Sequence, residues 1–273
     1  MKTLQLLSLS LTFLVLIRCG NPQPEATETS EAPKIVQGER EFYQLKVYSF
    51  SSEDQIAATD EYLQNAYIPA VKKQGIDKVG VFKFRTHEKD TVQKTYVLLP
   101  FKSLDQFLEL DHLLNVDTEY LNAGSAYIDA SHDNAPYARI ESILLQAFTD
   151  MPHMQVPNLE GPRSERIYEL RSYESPTEKF YWNKVDMFNA GGEVKLFDRL
   201  GFNAVFYGEV VSGSKMPNLM YMTTHADRAI RDKNWEAFVD SPEWKALTAM
   251  PEYENNVSHA DILFLYPTEY SDY

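Results

Sequence analysis

The sequence of 273 residues contains a single cysteine, Cys19. Without a second thiol the chain can form no internal disulfide, and no thiolate metal site or cysteine nucleophile is available to a folded body downstream. Stability must come from burial. Basic residues are few as well: 26 Lys and Arg against 40 Asp and Glu leave a formal charge of -14. Such a surface repels phosphate backbones, and no local basic patch offsets it, so no nucleic-acid partner is expected. Glycine is limited to 11 residues. None of them completes a Gly-x-Gly-x-x-Gly loop or a Gly-x-Ser-x-Gly elbow, and no His-Glu-x-x-His helix is present. No cofactor is expected.

Long apolar runs are also missing. The stretch Leu4 to Ile17 is mostly apolar but falls short of the roughly 20 residues a stable span needs. It follows Lys2 and ends at Arg18-Cys19, which reads as a secretory signal. A lone cysteine at that place resembles a bacterial lipobox, although Arg18 stands where such boxes carry a small residue. The expectation is an exported protein, anchored to a bacterial membrane by lipid on Cys19 and facing the periplasm or the cell surface. Residues 20–38 are rich in Pro, Glu, Ser and Thr and form a tether.

Aromatic residues are plentiful, with 17 Tyr and 15 Phe, enough for two packed cores. Arg166-Ile-Tyr-Glu-Leu-Arg-Ser-Tyr-Glu174 repeats the pattern of Glu41-Phe-Tyr-Gln-Leu-Lys-Val-Tyr-Ser49. Tyr168 answers Tyr43, Leu170 answers Leu45 and Tyr173 answers Tyr48, all at an offset of 125 residues. Tyr221 answers Tyr96 at the same offset. The periodicities between these landmarks predict strand, helix, strand, strand, helix, strand in each copy. Ser52 with Gln55, Ser103 with Gln106 and Ser175 with Glu178 mark helix starts. Pro69 is expected to kink the first helix and Gly191-Gly192 to interrupt the third. The units predicted are residues 39–148 and 164–273, joined by a proline-rich linker at 149–163.

A β-α-β-β-α-β unit is an antiparallel sheet with both helices on one face, so its other face needs a cover. Two units in one chain can cover each other. The fold class expected is α+β, with two tandem ferredoxin-like units forming an internal pseudo-dimeric α+β barrel. Further association into a homo-oligomer is compatible with it. Strand alternation places Tyr168 and Leu170 against the helices and turns Glu169, Arg171 and Tyr173 into the space between the sheets. Lys46 and Tyr48 would join them from the first copy, with Arg139 and Glu141 from the fourth strand and Asn203 and Tyr207 from the sixth. His225 would stand at the mouth. That space should therefore be polar and tyrosine-lined, with these ten residues as the candidate site for a small-molecule ligand.

Tyr168-Glu-Leu-Arg-Ser-Tyr173, Met187-Phe188, Gly192-Glu193, Leu200-Gly-Phe202, Leu219-Met-Tyr-Met222, Trp235 with Phe238, and Pro242-Glu-Trp244 together resemble a NIPSNAP domain. The likeness is strongest over residues 165–270 and fainter over 40–148. The resemblance implies the dimeric α+β barrel fold but supplies no catalytic residues. A small-ligand or partner-binding module is expected. The alternatives are a cofactor-poor oxidoreductase or isomerase or a haem-binding protein, using His225 with Arg171, Tyr173 and Tyr207 in the same cavity, and a scaffold with no pocket. Met151, His153 and Met154 offer soft-metal donors within four residues, but a proline-rich linker gathers such residues without forming a site. No metal is expected. Trp235, Phe238 and Trp244 are expected to belong to the core or to a lid.

The lipid anchor is checked by growth with a clickable fatty-acid analogue. Label is expected on the wild-type chain and none on Cys19→Ser; an unlabelled wild-type chain removes the anchor.

Overall fold

The computed structural model describes residues 40–84 and 93–273. The expected leader, the tether, the acylation site at Cys19 and the turn at 87–90 lie outside the described residues. Among the described residues eight strands are present: β1 (Phe42–Ser49), β2 (Gly80–Phe84), β3 (Lys94–Phe101), β4 (Arg139–Ala147), β5 (Ile167–Glu174), β6 (Ala204–Ser212), β7 (Asn218–His225) and β8 (His259–Pro267). The helices of the first half are α1 (Glu53–Tyr62), α2 (Ile68–Lys73), α3 (Leu104–Val116), α4 (Thr118–Ala123) and α5 (Ser125–Ile128). Those of the second half are α6 (Glu178–Phe188), α7 (Glu193–Arg199), α8 (Arg228–Asp240) and α9 (Pro242–Thr248).

The strands close into one barrel in the order β1-β3-β2-β8-β5-β7-β6-β4, with every pair antiparallel. Within each half the order is β-α-β-β-α-β. The halves meet at two seams, β4 on β6 and β2 on β8. The fold is therefore α+β, an internal pseudo-dimeric barrel of two ferredoxin-like units, and closure leaves none of the eight described strands at a sheet edge.

Local chemistry sets most of the boundaries. Ser52 and Ser103 accept the backbone N–H of Gln55 and Gln106 at 3.3 and 3.2 Å, and both glutamines reach back to the chain just before the cap. The third start differs from expectation. Thr177 precedes α6, because Ser175 is used elsewhere: its hydroxyl donates to the Asn256 carbonyl at 2.7 Å. Pro69, expected to kink its helix, lies just after an irregularity in it. A π turn over Leu63–Tyr67 separates α1 from α2, and Pro69 falls in the first turn of the second segment. There its missing N–H costs least. Gly192, at φ 86°, opens α7 after the break at Gly191.

The facing of the strands is the reverse of that expected. Tyr43, Leu45, Val47, Tyr168, Leu170, Leu145 and Met222 fill the barrel interior. Gln44, Lys46 and Tyr48 alternate with them and turn to the helices of the first half, where Lys46 lies over the Tyr67 ring. Glu169, Arg171 and Tyr173 likewise turn to the helices of the second half. The physical reason is that a closed interior is walled by sheet on every side and offers little to pair a charge. The helices, by contrast, bring side chains of opposite charge.

The linker at 149–163 is a fastened segment. Its Pro152 carbonyl accepts from Glu41 N–H at 2.9 Å, the Met154 N–H donates to Glu41 Oε2 at 2.6 Å, and Gln155 N–H donates to the Val205 carbonyl at 3.0 Å. Met154 enters the barrel interior and Met151 is buried, while His153 faces solvent. The three therefore do not share a metal.

The β4–β6 seam is tight at Gly208, where a Cβ would lie 3.1 Å from Leu145 Cβ. Gly208→Val is expected to lower stability by about 1–3 kcal/mol through overpacking, read from urea unfolding.

Candidate functional site

The buried charges of the second half gather between its sheet and α6, α7, α8 and α9. Glu169, fully buried on β5, is the centre. Arg171 Nε donates to its Oε1 at 2.7 Å, Arg231 Nε from α8 donates to its Oε2 at 2.7 Å, and Trp235 Nε1 donates to Oε2 at 3.0 Å. Burial alone would raise the Glu169 carboxyl, but the hydrogen bonds from Arg231 and the charges of both arginines outweigh it and hold the carboxyl below its ordinary range. Arg171 lies 3.7 Å from the Trp235 ring centre and donates through Nη1 to the Tyr173 hydroxyl at 2.7 Å. Tyr173 and Tyr221 share a hydrogen bond of 2.8 Å between their hydroxyls. Burial also pushes the Tyr207 and Tyr221 hydroxyls well above their ordinary value, so both stay protonated.

A second buried pair stands beside the first. Lys184 of α6 donates to Glu193 Oε2 at 2.8 Å, and both side chains are almost fully enclosed. Burial pushes the Glu193 carboxyl up, and the charge of Lys184 reverses that only in part. Lys184 Nζ is 4.6 Å from the Phe188 ring centre and 5.6 Å from that of Trp244.

Between the two pairs lies a pocket of about 610 Å³. Arg171, Tyr173, Lys184 and Glu193 line its inner part together with Trp235 and Trp244, and Tyr253 and Glu254 stand at the solvent end. The size lies within the range of small-molecule sites.

The ten residues named from the sequence fall in different places. Glu169, Arg171 and Tyr173 form one cluster, with Tyr207 packed behind it against Tyr221. Lys46 and Tyr48 belong to the helix-facing side of the other half. Arg139 is exposed, and Glu141 stands at the rim of the barrel. Asn203 is in the exposed turn before β6, at φ 44°. His225 is the last residue of β7 and fully buried, edge-on to Phe202 at 5.2 Å. It lines neither cavity, so it does not stand at a mouth and does not fit the part of a haem ligand.

Lys184, Glu193 and Asn256 were not among the candidates. Lys184 had a readable signal, since it sits in the apolar stripe of α6 with Tyr181 and Phe188, where a lone cation needs a partner. Trp235, Phe238 and Trp244 pack together as a core set.

The space between the sheets holds a smaller cavity, of about 200 Å³. Its walls are mainly apolar, with Leu45, Val47, Ile143, Leu170, Met220 and Leu263 beside one tyrosine, Tyr96, and Lys94, Glu141, Lys215 and Asp261 also line it. Among the described residues, Glu174, His259 and Asp261 at the barrel rim have the spacing of metal ligands. The Lys215 ammonium already bridges Asp261 and Glu174, so this group is a solvated ion-pair cluster.

A closed eight-stranded barrel of two ferredoxin-like halves, with helices outside, defines the dimeric α+β barrel class. Solved structures agree: a putative monooxygenase from Lactobacillus acidophilus NCFM superposes with a TM-score of 0.53 at 9% identity over 84% of this chain and 94% of that one. A putative monooxygenase from Fusobacterium nucleatum gives 0.50 at 8% identity over 84% and 92%, and an anthrone oxidase-like protein gives 0.50 at 9% over 84% and 92%. At such identities the likeness is one of fold. Residues 168–272, within the half that holds the charged pocket, match the NIPSNAP family model. No protein of curated function matches the sequence.

His225 supplies a test by pH. Burial holds it neutral, at about 4 against an ordinary 6.5, with Glu169 opposing the shift and Arg231 and Arg171 adding to it. The unfolded chain takes up a proton that the fold refuses, so stability is expected to fall as pH drops from about 6.5 towards 4, by roughly 3 kcal/mol. Glu169, also held below its ordinary value, adds its own loss only at more acid pH. Urea unfolding across this range is expected to show the slope in wild type and a flatter one in His225→Leu.

Proposed function

We propose that the NIPSNAP-matching half binds a planar organic anion in the pocket between its sheet and α6, α8 and α9. The observation that carries this reading is the charge balance of the pocket. Two cations, Arg171 and Lys184, and one carboxylate, Glu193, line the inner part of the pocket, Glu254 stands at its solvent end, and Arg231 lies outside the lining, paired with Glu169 and Asp232. The inner lining thus presents more cations than carboxylates in a protein of net charge -14. Surplus cations in a partly dry pocket are stabilised by an anion, through charge-assisted hydrogen bonds. The aromatic walls favour a flat body, since Trp235, Trp244, Phe238 and Tyr173 present rings to it.

Titration of tryptophan fluorescence with 2-naphthoate and with its neutral counterpart 2-naphthamide tests the reading. The carboxylate is expected to bind on the order of tenfold more tightly, the worth of one charge-assisted contact. Lys184→Met should remove that preference while keeping the affinity for the amide, which reports that the pocket persists. Equal affinities in wild type, or no binding of either probe, would falsify it.

A further inference from the structure

The cavity inside the barrel carries an observation of its own. At one end the interior is filled by Tyr43, Phe82, Tyr168, Phe206, Met154 and Tyr273. Towards the other end the inward side chains become short, with Val47, Ser172, Val210 and Gly213, and the space of about 200 Å³ remains. An apolar cavity of roughly 150 Å³ is enough to hold benzene. This one has room for a benzene ring with one or two further heavy atoms.

Asn218 lines this cavity and is only 2% exposed. It lies across from Glu174 in the β5–β7 register, so its side chain points to the barrel interior. Its Nδ2 donates to the Ser172 hydroxyl at 2.9 Å, and its Oδ1 has no partner. Turning the amide over leaves the nitrogen unpartnered instead, because Ser172 can donate to the oxygen as readily as it accepts from the nitrogen. One buried amide atom therefore lacks a hydrogen bond in either orientation, which is costly in an apolar site. A hydroxyl, both donor and acceptor, suits either case.

The rim adds a limit on charge. Lys215 is paired with Asp261 and Glu174, and Glu141 accepts from Ser214. The charged residues that line the cavity, Lys94, Lys215, Glu141 and Asp261, hold both signs in equal number, so an ionised ligand buried against the apolar inner walls would lose its hydration for little return.

We propose that the barrel interior is a second binding site, for a small neutral phenol whose ring fills the cavity and whose hydroxyl pairs with Asn218. This site is independent of the anion pocket outside the barrel.

The experiment is isothermal titration of the protein with p-cresol and with p-xylene, which has the same shape with a methyl in place of the hydroxyl. p-Cresol is expected to bind roughly 5- to 30-fold more tightly, the range set by one buried hydrogen bond. Asn218→Leu should bring the two affinities together, and Val47→Phe, which fills the cavity, should abolish both. 2-Naphthoate, too large for this cavity, should not compete. Equal affinity of the two probes for wild type overturns the proposal, since the amide is then served by solvent. So does the absence of p-cresol binding, or a p-cresol affinity that 2-naphthoate suppresses. If Val47→Phe does not fold, the Asn218→Leu comparison decides alone. Failure of 2-naphthoate to bind bears on the anion pocket and leaves the p-cresol preference to stand or fall by itself.

Discussion

The second half of this molecule is organised by one buried carboxylate. Glu169 sits on a central strand with no access to water and accepts hydrogen bonds from Arg171 beside it and from Arg231 and Trp235 on a helix more than 60 residues later in the chain. An isolated ion there would be untenable, and an ion with three donors is held rigidly. The bond to the tryptophan fixes the indole, the indole carries the Arg171 guanidinium on its face, and the guanidinium holds the Tyr173–Tyr221 hydroxyl pair. One wall of the pocket thus follows from the pairing of a single acid.

This explains why the fold was legible in the sequence and the facing of its strands was not. The order of elements could be read because each depends on neighbours in the chain: Ser52 with Gln55, Ser103 with Gln106, the break at Gly191-Gly192. Alternation also divided β5 correctly into two sets. It could not say which set faces the helices, because the deciding partners, Arg231 and Trp235, belong to another element. Tyrosines misled for the same reason. Tyr43 and Tyr168 look amphipathic in sequence but lie inside the barrel, whereas Glu169 and Arg171 look like lining for a wet channel and instead knit the sheet to α8. The linker misled through composition. Its prolines read as a loose connection, yet its backbone is bonded to Glu41 and Val205, and Met154 closes part of the interior.

The candidate site was legible in part. Glu169, Arg171 and Tyr173 were named together and stand together. The pair Lys184–Glu193 completes the pocket from positions nine residues apart on two helices. Only the turn at Gly191-Gly192, which folds α7 back on α6, makes them neighbours. Sequence spacing could not supply that distance, though a lysine among aromatic residues on one helix face was a clue.

The two outer faces of the barrel have diverged in kind. Beneath the first set of helices lie mainly Tyr, Leu and Val side chains in mutual contact, with Lys46 resting on Tyr67; beneath the second lie ion pairs around an opening. When two identical subunits build such a barrel, any burden of desolvated charge must be carried twice. A single polypeptide escapes that symmetry: one face can serve as ballast for folding while its counterpart tolerates a cluster that weakens packing, and the assembly remains stable with a single specialised side.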